Sequence, residues 1–237
     1  MCFSATVSFG AAAVLIPLGL HTLQQAWRSD HRFLALATFP LLFGLQQCSE
    51  GLTWLNLGGL RPEYTQTSAL GFLFFVYLLW PVLVPLAARQ LDDRPRPRAA
   101  LLLLALFSAS MGALVYLPLL LNPNGLTVTI VQHSILYEPH LLFGEPWNAW
   151  ISRTGYALVV TLPLLISPWA NVRLFGALVA LSLILSALYF DHAFTSVWCF
   201  FAALLSIFIR RLIRLDAPHP QAGVISAQIT ATEASRP

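Results

Sequence analysis

Glu50 is the only acidic residue in the apolar part of any long hydrophobic run of this chain, within Phe43-Gly44-Leu45-Gln46-Gln47-Cys48-Ser49-Glu50-Gly51-Leu52-Thr53-Trp54. On a helix, Gln46, Gln47 and Trp54 stand at i−4, i−3 and i+4 from it and share its face. Two amides, a carboxyl and an indole N–H are thereby presented to one region. Inside a membrane such groups face the bundle and mark ligand, proton or metal sites. The plainer account is a cluster of interhelical hydrogen bonds, with a protonated Glu50 and the glutamines joining helices. If the chain is an enzyme, Glu50 is its expected general base, working with a metal-activated water on a lipid or other membrane-soluble substrate.

Cys2, His133 and Cys199 add two thiols and an imidazole to that carboxyl. Thiolate, imidazole and carboxylate are the ligand set of zinc, and thiolate with imidazole suits copper. The four come from distant parts of the chain, without HxxxH or HExxH spacing. Three cysteines lacking CxxC or CxxCH give no zinc-ribbon, thioredoxin-like or c-type haem signature. Each residue also has a bland reading. Cys199 reads as a buried small hydrophobe, histidines in a loop as solvated groups, and a Cys2–Cys199 disulfide is allowed in an oxidising compartment.

The elements that position these residues follow from composition. Of 237 residues 57% are hydrophobic and only 10% charged, with a mean hydropathy of +0.72, which is the signature of a polytopic membrane protein. Seven apolar runs are long enough to cross the bilayer: Thr6 to Trp27, Phe33 to Leu57, Thr67 to Ala88, Ala99 to Leu121, Trp150 to Trp169, Val172 to Phe190, and Phe194 to Ile213. An all-α, seven-transmembrane bundle over residues 1–214 is expected, with a disordered cytoplasmic tail over 215–237. No lysine is present, so a retinal Schiff base is excluded. The first run has no basic n-region and reads as a retained span rather than a signal peptide.

Arginines orient the bundle. Arg28 and Arg32 follow the first run, Arg89, Arg94, Arg96 and Arg98 the third, Arg173 the fifth, and Arg210, Arg211 and Arg214 the last. The alternate connections hold few, so the N-terminus is predicted outside and the C-terminus inside a bacterial inner membrane. Glu50 then lies roughly 10 Å below the outer end of its span. Cys2, Cys199 and Trp198 fall on that side, and so do His133, Tyr137, Glu138 and His140, in the long outer loop between spans four and five. His21 and His31 fall on the other. Within the loop, Thr127 to Tyr137 alternates as a strand or hairpin, Glu138-Pro139-His140 and Gly144-Glu145-Pro146-Trp147 read as turns, and the whole is expected to fold back as a lid. Pro17, Pro81, Pro85, Pro118 and Pro163 fall inside spans, where they free carbonyls and bend helices.

Met1-Cys2-Phe3-Ser4-Ala5-Thr6-Val7-Ser8-Phe9, Pro40 to Gln47 with Glu50-Gly51 and Trp54, Trp80-Pro81, and Ser196-Val197-Trp198-Cys199-Phe200-Phe201-Ala202-Ala203 resemble an uncharacterised family of small bacterial multi-pass membrane proteins, a domain of unknown function. The resemblance implies that Cys2, Gln47, Glu50, Trp80, His133, Tyr137 and Cys199 match family positions, while Cys48 and His140 are individual to this chain. A looser likeness is to the seven-span ceramidase and receptor superfamily, from which this chain departs by lacking a histidine pair in its last span.

The expectation is an outer-leaflet polar, thiol-containing pocket that binds a metal or small ligand. Cys2, Glu50, His133 and Cys199 are the candidate metal ligands. Gln46, Gln47, Trp54, Trp80, Tyr137 and Trp198 are the candidate ligand-binding residues. The alternatives are a proton-coupled transporter or sensor using Glu50, and an accessory subunit of a membrane complex. The bilayer is the expected partner, and nucleic acid is not.

Overall fold

The computed structural model describes residues 4–131, 133–140, 149–189 and 194–216. The chain is mostly helical, as its apolar runs require. Helix α1 (Ala5–Ser29) starts on a Ser4 cap that accepts from Val7 N, and ends at Asp30. A 3-10 turn (His31–Phe33) leads into α2 (Leu34–Ala37) and α3 (Phe39–Leu57), which Thr38 joins into one nearly continuous rod. Helix α4 (Thr65–Phe74) passes through a π-helical stretch (Phe75–Leu79) into α5 (Trp80–Leu91), and α6 (Pro95–Leu121) follows. Strands β1 (Leu126–Val131) and β2 (Ser134–Pro139) precede α7 (Ala149–Leu165), α8 (Ala170–Tyr189) and α9 (Phe194–Asp216).

Small residues set the tightest contact. A Cβ added to Gly19, Gly44 or Gly51 would strike Leu41, Ile16 or Phe9, so α1 and α3 lie antiparallel with their backbones close, as small-residue seams allow. One face of α1, formed by Ser8, Ala12, Leu15, Gly19, Thr22 and Ala26, is buried by this packing. The π-helical stretch has an identifiable cause. Pro81 has no N–H for the carbonyl of Tyr77 four residues earlier, and that carbonyl turns to α6, where only a glycine, Gly112, leaves room for it.

Among the described residues four helical segments are long and apolar enough to cross a membrane: Ala5–Ser29, Pro62–Leu91, Pro95–Leu121 and Ala170–Tyr189. Two other runs fall short of that measure: Gln46, Gln47, Ser49, Glu50, Thr53 and Asn56 dilute α3, and α7 has only 17 residues.

At one end of the bundle the connections are stapled by arginines. Arg94 donates to both carboxyl oxygens of Asp92 and to the Ile166 carbonyl. Arg32 pairs with Asp30 and Asp93 and stacks over Trp169, whose indole nitrogen donates to the Leu91 carbonyl at 2.9 Å. Arg173 donates to the carbonyls of Ser167 and Pro168.

The hairpin covers the opposite end. Its strands pair antiparallel from Leu126↔Pro139 to Val131↔Ser134, and buried Leu126 packs with Phe72, Leu73, Tyr116, Leu119 and Cys199. Tyr137 stacks on Phe72 with ring centroids 4.9 Å apart. The expected turn at Glu138-Pro139-His140 is replaced by strand: Glu138 and Pro139 finish β2 opposite Thr127 and Leu126, where an edge strand needs no N–H from proline. The expected turn at residues 144–147 and nearly all of the tail lie outside the described residues.

Candidate functional site

Helix α3 turns its polar stripe inward. Gln46, Gln47, Glu50 and Thr53 have no exposed surface. Thr53 satisfies its hydroxyl on the Ser49 carbonyl, a bond within the helix that asks nothing of a neighbour. Gln47 Nε2 donates to Glu50 Oε2 at 3.2 Å, one helical turn along. Gln46 reaches across to α5, where Trp80 Nε1 donates to its Oε1 at 2.8 Å. Trp80 is held in turn by Phe43, stacked at 3.9 Å, and by Phe39, edge-on at 5.4 Å.

From the other side α9 brings Cys199. Its thiol lies within hydrogen-bonding reach of the Gln46 amide and close enough to Glu50 for the two to interact electrostatically. Tyr156 of α7 meets the Trp198 ring edge-on at 5.4 Å and lies in electrostatic range of Cys199 and Tyr77. Hydrogen-bonding capacity is left over: Gln47 Oε1 and Trp54 Nε1 are buried with no hydrogen-bond partner among the described residues. Buried polar atoms in that state call for an ion, a water or a ligand.

Beside the cluster a narrow cleft of about 30 Å³ runs between α3, α5, α7, α8 and α9. Trp80, Tyr156, Trp198 and Cys199 line it together with Phe39, Phe43 and Val84, and Val160, Leu164, Phe175 and Val179 continue it toward the arginine end. Its free volume is that of about one water molecule.

The structure thus gathers Gln46, Gln47, Glu50, Trp80, Trp198 and Cys199 around one buried point. Trp54, a turn further along α3, is half-buried, and Tyr137 belongs to the hairpin's contact with Phe72. Of the four candidate metal ligands, Glu50 and Cys199 are brought near each other. His133 stands exposed in the hairpin turn at φ 61°, because the pairing of Val131 with Ser134 places it at the tip. Cys2 lies outside the described residues. Among the described residues no group of three or more His, Cys, Asp and Glu side chains is placed to hold a metal ion.

Sequence reasoning missed Tyr156, Tyr77 and the Phe39–Phe43 clamp. Tyr156 carried a signal, being the one tyrosine of its apolar run. The clamp carried none, since phenylalanines in a span have no distinguishing pattern.

Over residues 1–222 the chain matches a family described as a family of unknown function (DUF6629). No curated protein and no solved structure matches it.

Proposed function

The chain belongs to that family of unknown function, and from this premise we propose that it is a seven-span protein of a bacterial inner membrane whose Glu50 cluster binds a small polar ligand in a closed chamber. One observation carries the reading: Gln47 Oε1 and Trp54 Nε1 are an acceptor and a donor of α3 that are buried with no hydrogen-bond partner among the described residues, on the helix that also carries Glu50. The adjoining cleft has room for about one water molecule, so a larger occupant requires the helices to part. Mass spectrometry of whatever denaturation releases from protein purified in mild detergent tests it. One small molecule per chain is expected, lost in Gln47→Leu and Glu50→Gln variants that stay folded. Wild-type protein that releases nothing in stoichiometric amount refutes the reading.

A second reading, a metal ion, is favoured by the approach of Glu50 to Cys199, a carboxylate and a thiol suited to zinc or copper. Elemental analysis of the same preparation decides it. About one ion per chain, lost on Cys199→Ala, would establish a metal centre, and a metal-free folded protein would remove it.

The proposed topology has the arginine-stapled end in the cytoplasm and the hairpin outside. Its support is the gathering of Arg32, Arg94 and Arg173 at one end of the bundle. A cytoplasmically active reporter should work when fused after Arg94 and fail within the hairpin. The reverse pattern overturns the orientation.

A further inference from the structure

The face of α1 turned away from α3 carries polar groups that neither the bundle nor the Glu50 cluster uses. His21, Gln24 and Arg28, at i, i+3 and i+7, share that face and are exposed. Trp27 beside them is 63% exposed and meets the His31 ring edge-on at 4.9 Å. Leu20, His21, Leu23, Gln24 and Trp27 line an open, shallow groove along α1.

Depth identifies the occupant. At about 1.5 Å per residue, Gln24 and His21 lie roughly 8 and 12 Å in from the Ser29 end of the helix. In a spanning α1, Trp27 belongs at the headgroup level, and Gln24 and His21 then fall just inside it, on the side of the lipid esters. Hydrocarbon offers such side chains nothing. Arg32 is held by Asp30 and Asp93, whereas Arg28 makes no ion pair among the described residues, so a cation stands available at the mouth of the groove. A second copy seated there by a two-fold axis along the membrane normal would bring Arg28 against its own symmetry mate, and like charges oppose that arrangement.

We propose that this groove binds one anionic phospholipid. The phosphate sits at Arg28 and His31, the ester oxygens meet Gln24 and His21, and an acyl chain lies along Leu20 and Leu23. The inference rests on α1 spanning the membrane and is independent of any ligand at Glu50. If alkaline carbonate strips the protein from membranes, the membrane reading itself fails.

With the protein retained in membranes, delipidated full-length chain is titrated with phosphatidylglycerol or phosphatidylcholine and followed by native mass spectrometry. One tightly held phosphatidylglycerol is expected, preferred over phosphatidylcholine. Arg28→Gln should weaken that preference about fivefold, the usual worth of one basic side chain at a membrane surface, and His21→Leu/Gln24→Leu should lower retention of both lipids. These residues are exposed, so the variants should fold. Arg96→Gln removes an exposed charge of α6 that does not line the groove, and should change nothing. Wild type without lipid preference, equal losses in Arg28→Gln and Arg96→Gln, displacement of the lipid by inorganic phosphate alone, or a dimer that lipid does not dissociate would each overturn the assignment.

Discussion

Trp80 of α5 donates its indole N–H to Gln46 Oε1 of α3 at 2.8 Å, with both side chains shut off from the surroundings. This bond ties the polar stripe of one helix to the aromatic wall of another. Trp80→Phe leaves an unsatisfied buried carbonyl, and Gln46→Leu an unsatisfied indole. Each should lower stability by about 1–3 kcal/mol. In the double variant the losses should fall short of their sum, because neither partner is then stranded. Unfolding in detergent, followed by the remaining tryptophan fluorescence, measures all three, and strict additivity would show that the bond contributes nothing.

Two glycines of α1 should respond oppositely to the same substitution. Gly19→Ala drives a methyl into Leu41 and should destabilise by about 1–3 kcal/mol. Gly10→Ala meets open space and should be neutral or stabilise the helix by up to about 1 kcal/mol. Midpoints of thermal unfolding for the two variants, compared with wild type, check the signs.

Asp92 makes the arginine end sensitive to acid. The Arg94 guanidinium, hydrogen-bonded to Asp92, holds its carboxyl below the ordinary value of 3.8 against the opposing effect of burial. A carboxyl depressed by folding adds stability above its unfolded pKa and loses it as pH falls through the folded value. Asp92→Asn should therefore be less stable than wild type at pH 7, and the gap should begin to close only once the pH falls below 3.8, as the lowered carboxyl takes up its proton. A gap that persists in acid would assign the effect to packing.

Covering by the hairpin should protect Cys199, which is 3% exposed. In membranes a maleimide should label Cys199 more slowly than the half-buried Cys48. Leu126→Ala combined with Phe72→Ala, which loosens the hairpin's seat, should raise Cys199 labelling selectively, as read by mass spectrometry of each cysteine peptide. Equal labelling before and after would show that the hairpin does not cover it.

What the sequence could reveal follows from how local each determinant is. The apolar runs, the inward turn of Gln46, Gln47 and Glu50, and the strand alternation of Thr127 to Tyr137 are periodic signals within single segments, and the structure has a helix or strand at each. The ending of β2 depends on cross-strand pairing with Leu126 and Thr127, which a local turn signal at Pro139 could not show. The approach of Cys199 to Gln46 and the clamp on Trp80 join helices far apart in the chain, so no spacing announces them. His133 has a ligand's chemistry, but its place in the turn depends on the register of the two strands.

The π-helical stretch from Phe75 to Leu79 has a consequence for the rod that contains it. A residue added to an α-helix rotates everything beyond it by about 100°. Here that change of phase falls between Phe72, which supports Tyr137 of the hairpin, and Trp80, which holds Gln46. One rod thereby serves two differently directed contacts. Deleting a single residue from 75–79 and letting the helix close as α would bring the two faces back into phase, so that seating the hairpin and holding Gln46 would become mutually exclusive.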